Sequence, residues 1–165
     1  MTRILLRSVG MCGVTICAPF EIVWSMTNDL ERWPTLFTEY AAVEILEQHG
    51  NFISFRLTTV PDNDGTIWSW VSERIADKSL KTTVARRLET GPFEFMNIRW
   101  DYRPTESGVE MRWRQEFSMK QEAGLDNHAV KLRLQRTSRE QMAHVKAAVE
   151  AATRTEVSTP IKDRR

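Results

Sequence analysis

The chain has 165 residues, 41% of them hydrophobic and 27% charged. Those proportions belong to an ordinary globular domain and exclude disordered, collagenous and disulfide-scaffold classes. Twenty-three Lys and Arg stand against twenty-two Asp and Glu, a net charge of +1, which leaves no electrostatic footprint for sequence-independent nucleic-acid binding.

No run reaches the roughly eighteen apolar residues that suggest a membrane span. Arg3 and Arg7 precede a mildly apolar stretch, Val9 to Ala18, and Val14-Thr15-Ile16-Cys17 has the outline of a lipoprotein cleavage box, with Ile16 where a small residue is wanted. Against a leader peptide, Cys12, Val14 and Ile16 alternate with Gly13, Thr15 and Cys17, the period of a strand. Met11 offers a second start position. The same alternation puts Cys12 and Cys17 on opposite faces, so they do not pair. His49, His128 and His144 are scattered. The expectation is a cytoplasmic protein with reduced thiols and no structural metal.

Ala18-Pro19 ends the first strand, and proline suits a helix start. Phe20, Val23, Trp24 and Thr27 then recur at helical spacing. Asp29 caps a second short helix through Leu30 and Trp33, and Pro34 predicts extended geometry at Trp33. Strands follow near 42–48, 51–60, 66–74, 80–89, 93–102 and 110–119, punctuated by His49-Gly50-Asn51, Pro61 to Gly65, Ala76 to Ser79, Thr90-Gly91-Pro92 and Pro104 to Gly108. After Gly124, Asp126 or Asn127 caps an amphipathic helix of up to about thirty residues. Thr137 with Glu140 is also a capping-box pattern, which would divide it in two.

Tight turns imply an antiparallel sheet, and one long helix with an apolar stripe must lie against it. The economical solution is an α+β fold: a curved antiparallel sheet of about seven strands wrapped around a long C-terminal helix, with two short helices after the first strand and an interior cavity. We read residues 1–165 as a single domain with an ordered core over about 11–152 and a polar tail over 155–165.

Six Trp accompany only two Tyr. Trp carries a large apolar area and an N–H that needs a partner. Trp68, Trp70, Ser72 and Arg74 fall on one strand face. Two indoles, a hydroxyl and a guanidinium suit a cavity wall for a flat, oxygen-rich ligand. The alternative is plain core under Trp68 and Trp70, with Arg74 in a surface ion pair. Trp33, Phe37 and Tyr40 share a side if their segment is helical. Trp100 and Trp113 lie on apolar strand faces, and Gln115 is the polar exception in its row. No Gly-rich phosphate loop, G-x-S-x-G, HExxH or Cys/His nucleophile arrangement is present.

Ala18-Pro19-Phe20-Glu21-Ile22-Val23-Trp24, Trp33-Pro34-x-Leu36-Phe37-x-Glu39-Tyr40, Trp68-x-Trp70-Val71-Ser72-x-Arg74, Glu89-Thr90-Gly91-Pro92-Phe93 with Met96-Asn97, and Met111-Arg112-Trp113-x-Gln115-Glu116-Phe117 resemble the aromatase/cyclases of bacterial type II polyketide synthases, in particular the tetracenomycin and spore-pigment group. The resemblance runs from about Val14 to Val149. It implies a helix-grip fold of the Bet v 1-like, START superfamily. It implies an enzyme of spore-pigment or aromatic antibiotic biosynthesis that folds a linear poly-β-ketone held on an acyl carrier protein. That enzyme directs aldol closure of the first ring between the ninth and fourteenth carbons, then dehydration to an aromatic ring, without a cofactor. Its partners would be the carrier protein and the minimal synthase of ketosynthase and chain-length factor, with no nucleic acid and no membrane, and the protein a monomer or weak homodimer. By resemblance Arg74 and Tyr40 are catalytic. Trp33, Phe37, Trp68, Trp70, Ser72, Phe93, Met96, Trp100, Trp113 and Gln115 line the pocket. The alternative is a non-catalytic carrier of lipid, quinone or polyketide with the same fold.

Overall fold

A computed structural model describes residues 7–157; of the expected polar tail 155–165, residues 155–157 continue the C-terminal helix, and residues 1–6 and 158–165 lie outside those described. β1 (Ser8–Ile16) starts earlier than the alternation at Cys12 suggests, and is followed by α1 (Phe20–Asn28), a 3-10 turn (Leu30–Arg32) and α2 (Trp33–Leu36). Six strands come next: β2 (Tyr40–His49), β3 (Phe52–Thr59), β4 (Ser69–Asp77), β5 (Thr82–Arg87), β6 (Phe93–Thr105) and β7 (Gly108–Met119). A single helix, α3 (Asn127–Val157), closes the chain.

The seven strands form one antiparallel sheet in the order β1-β7-β6-β5-β4-β3-β2. Hairpin connections give every neighbour pair except β1 with β7, which brings the start of the sheet beside its last strand. This is the expected helix-grip arrangement. α3 is one continuous helix of 31 residues. Asp126 caps it, its side chain accepting from the Ala129 N–H at 3.0 Å, while the Asn127 side chain instead accepts from Met119 N–H at the end of β7. Thr137 does not start a second helix; with Ser138 it faces the interior.

The interior has a solid end and a hollow end. At the solid end Met142, Val145 and Val149 of α3 are fully buried in one cluster with Ile16, Val109 and Met111. Each such side chain contributes about 1.5–3 kcal/mol by leaving water. Gly108 lets the β6–β7 hairpin close against β1: its φ is +135°, and a Cβ there would lie 2.1 Å from the Ile16 carbonyl oxygen. At the other end α3 presents Leu134, Thr137, Ser138 and Gln141 to open space.

Two local expectations are corrected. Trp33 is helical, with φ −56° and ψ −36°, although proline follows it. Pro34 sits in the first turn of α2, where no N–H is needed, and the buried indole of Trp33 is anchored by donating to the Thr27 carbonyl at 3.0 Å. β4 begins at Ser69, so the strand alternation does not extend to Trp68.

Candidate functional site

A cavity of about 220 Å³ lies between the sheet and the hollow end of α3. Eleven of the twelve side chains expected there line it: Trp33, Phe37 and Tyr40 from the helical corner, Trp70, Ser72 and Arg74 from β4, Phe93, Met96 and Trp100 from β6, and Trp113 and Gln115 from β7. The twelfth, Trp68, is not brought to it. That indole is 51% exposed and donates to the Asp62 carboxylate at 3.2 Å. Asp62 belongs to the turn before β4, and this contact holds Trp68 outside.

Arg74 is 3% exposed. Its guanidinium lies against a pair of touching indoles, 5.4 Å from the ring centre of Trp33 and 4.9 Å from that of Trp100, the two centres being 5.7 Å apart. Such contacts favour the cation once it is desolvated. No carboxylate forms an ion pair with it among the described residues. Burial pulls its pKa down to about 10, and the Tyr102 hydroxyl, within hydrogen-bonding reach, opposes that fall. Tyr102 is itself braced, 2.8 Å from the Thr27 hydroxyl and accepting from the Asn28 amide at 3.3 Å. One guanidinium nitrogen, Nη2, is buried without a partner. An unanswered buried donor costs about 1–3 kcal/mol, more when charged, so the fold retains this one at a loss.

The remaining polar atoms continue the theme. Trp113 Nε1 is also buried without a partner, its ring stacked on Trp100 at 5.1 Å and 13°. Gln115 accepts from Ser138 of α3 at 3.2 Å through Oε1, which leaves its amide hydrogens for the cavity. Trp33 stacks on Tyr40 at 5.9 Å, and Phe37 touches Tyr40, Trp100 and Trp113. The walls are therefore aromatic faces, and these three groups offer hydrogen-bond donors. They suit a flat ligand whose polar atoms are acceptor oxygens.

Among the lining residues not foreseen from sequence as part of the site, three bear on its chemistry. Arg87 of β5 lies 4.3 Å from the Trp70 ring centre and 5.2 Å from that of Phe93, its pKa drawn down to about 10 by burial. Glu39 precedes Tyr40 and also lines the cavity; burial raises its pKa, while hydrogen bonding from Tyr40 opposes the rise. Gln141 of α3 is 5% exposed and grips Thr38 twice, accepting from its N–H at 2.9 Å and donating to its hydroxyl at 2.8 Å. Burial pushes the Tyr40 phenol well above its usual range, with the Glu39 charge adding to the rise and Arg87 opposing it.

A larger hollow, about 370 Å³, lies on the outer face of the sheet. Its other charges are answered: Arg86 pairs with Glu73, Arg99 with Asp101 and Arg114 with Glu116, while Arg74 is shared with the inner cavity. Of these two hollows among the described residues, the inner one combines enclosure with buried donors that lack a partner.

The sequence pattern of a family described as polyketide cyclase/dehydrase and lipid transport matches residues 13–150. A Streptomyces cyaneus protein assigned the name polyketide cyclase is 50% identical over 137 residues, covering 83% of this chain and 90% of the relative. Among solved structures, the Zhui aromatase/cyclase of Streptomyces sp. R1128 superposes with a TM-score of 0.75 at 22% identity, covering 93% of this chain and 97% of that one. A START superfamily protein of Mycobacterium smegmatis gives 0.67 at 15% identity, covering 89% and 97%.

Proposed function

The chain belongs to the polyketide cyclase/dehydrase and lipid transport family, and from that premise we propose that it is an aromatase/cyclase that folds a linear poly-β-ketone, delivered by an acyl carrier protein, and closes its first ring. The observation that carries this reading is the unpartnered Nη2 of Arg74, buried against the Trp33 and Trp100 rings in a cavity of aromatic walls.

A methylene between two ketones is already acidic, so the difficulty is choosing one closure among many. Holding the reacting carbons together can supply about 7–11 kcal/mol in favourable cases. The indole and phenyl faces restrict a flat chain to few folds. Arg74 donates to a ketone oxygen and stabilises the enolate or alkoxide that develops there. A cation with no acid beside it is unspent until an oxyanion arrives. Tyr40 lies beside Trp33 and Phe37, where its hydroxyl can hydrogen-bond an oxygen of a ring packed against them. The motifs shared with the tetracenomycin and spore-pigment group support closure between the ninth and fourteenth carbons, followed by dehydration.

The test is reconstitution with a ketosynthase, chain-length factor and carrier protein. The wild-type chain should convert a mixture of shunt products into one product with an aromatic first ring. An unchanged mixture would instead favour the rival reading, a carrier of lipid or polyketide, to which the family's lipid-transport members and the apolar lining lend support. Against it stands Arg74, a costly group in a merely apolar pocket.

A further inference from the structure

Glu39 is a half-buried carboxyl that the chemistry above does not use. It lines the cavity beside Tyr40. Adjacent residues of a regular strand face opposite ways. Glu39, however, precedes the first residue of β2 and is not bound by that alternation. The residue before it, Thr38, is held at both its N–H and its hydroxyl by Gln141. With the chain fixed there, two successive side chains line one cavity.

On the reading just given, we propose that Glu39 and Tyr40 form a proton relay for ring closure, with Glu39 as the store and Tyr40 as the group that meets the substrate. The two side chains are neighbours in one cavity, and each bears on the other's titration. As the methylene C–H bond breaks, its proton passes to Tyr40 Oη while the Tyr40 proton passes to Glu39. The electron pair left behind forms an enolate, whose oxygen Arg74 holds. The enolate carbon then bonds to the distant ketone carbon, and that carbonyl's π pair moves onto oxygen as an alkoxide. The Glu39 proton returns through Tyr40 to this alkoxide. Every proton taken is given back, as aldol closure requires.

The surroundings favour a carboxyl that can hold a proton. Besides Tyr40, the charged groups facing the pair are Glu140 on α3 and Arg87 on β5. Glu140 disfavours charge on Glu39, and Arg87 eases charge on Tyr40. A base or acid of this kind contributes about a hundred- to ten-thousandfold in rate. Glu39 acts through Tyr40 and is a positioning and storage residue.

The experiment follows the initial rate of first-ring product in the reconstituted system across pH. Glu39→Gln keeps shape and an acceptor but cannot take a proton. It should lose at least a hundredfold in rate, with the affinity for a hydroxyanthraquinone probe changed less than twofold. The wild-type rate should fall as pH drops through the raised Glu39 pKa, and that acid limb should vanish in the variant. Acetate should partly restore Glu39→Ala. Because the pair acts as a unit, Glu39→Gln with Tyr40→Phe should be no slower than the slower single variant. An unchanged rate in Glu39→Gln, or losses that simply multiply, would overturn the relay. So would a wild-type profile without an acid limb, which needs no variant to fold. If the wild-type chain itself forms no first-ring product, the proposed function fails; if it does and Glu39→Gln matches it, only the relay fails.

Discussion

Arg74 of β4 stacks across the intervening β5 onto Trp100 of β6, guanidinium to ring centre 4.9 Å. The residues of β5 between them are Thr83 and Ala85, small enough to leave the space open. The contact therefore depends on a dip in side-chain size in the middle strand, and the hollow exists because of that dip. Function and stability pull apart at this cation.

Arg74→Met should leave a folded protein without first-ring activity. Loss of one such donor typically costs about a hundred- to a thousandfold. Arg74→Lys should fail as well, since an ammonium does not copy the planar fork. Removing a buried, incompletely partnered charge in favour of an apolar side chain is neutral or stabilising, so the Met variant should melt at or above the wild-type temperature. Each kcal/mol recovered raises the midpoint by about 2–4 °C in a domain of this size. Calorimetry beside product analysis checks both halves. A sharply lower midpoint would mean that Arg74 holds the fold together.

Trp68 and Trp70 should behave differently despite lying two residues apart. Trp70 carries Arg87 against its ring and lines the cavity; Trp68 faces outward to Asp62. Trp70→Ala should scatter the products over several ring closures while total consumption of polyketone falls less. Trp68→Ala should leave the product profile unchanged. Equal scrambling by both would place Trp68 in contact with substrate.

Much of the site was legible because it obeys the two-residue period of a strand. Trp70, Ser72 and Arg74 follow it on β4, and Trp113, Gln115 and Phe117 follow it on β7. Trp68 escaped because the ladder opens at Ser69, and what captures its N–H is a turn carboxylate six residues upstream. Around β5 hydrophobicity misleads. Leu80, Val84 and Leu88 make the apolar row, yet they are 70%, 41% and 47% exposed. The row Thr83, Ala85 and Arg87 turns inward instead, because a hollow needs small residues and a guanidinium can be covered by aromatic rings. Glu39 escaped because a charged residue in a turn is solvated by default; its neighbour Thr38 is held by Gln141, 103 positions further along the chain, a contact no local pattern announces.

Gly108→Ala should destabilise the fold without touching the cavity. The added methyl would lie 2.1 Å from a main-chain oxygen of β1, at a φ of +135° that side chains rarely adopt. Backbone strain of this kind costs about 1–3 kcal/mol, and the clash adds to it. Denaturant titration should show a lower midpoint with an unchanged slope, and the surviving folded fraction should give the wild-type product. An unchanged midpoint would show that β1 can move aside at no cost.

The stability of the fold should also carry the signature of Glu39. Its folded-state pKa is raised, first by burial, with the Glu140 charge adding to the rise. A group raised in this way is bound to its proton more tightly in the folded state than in the unfolded one. Its contribution to stability is fully present below the unfolded pKa and is lost as pH rises through the folded pKa. Glu39→Gln never acquires the charge. The variant should therefore gain stability relative to wild type as pH climbs from below the unfolded carboxyl value to neutrality, and the difference should level off once wild-type Glu39 is ionised. Paired melting curves from pH 4 to pH 7.5 measure this directly. A difference independent of pH, or one that shrinks on the way up, would mean that the carboxyl is as well solvated in the fold as outside it, and the hollow end of the molecule would then have to be open to water at that corner.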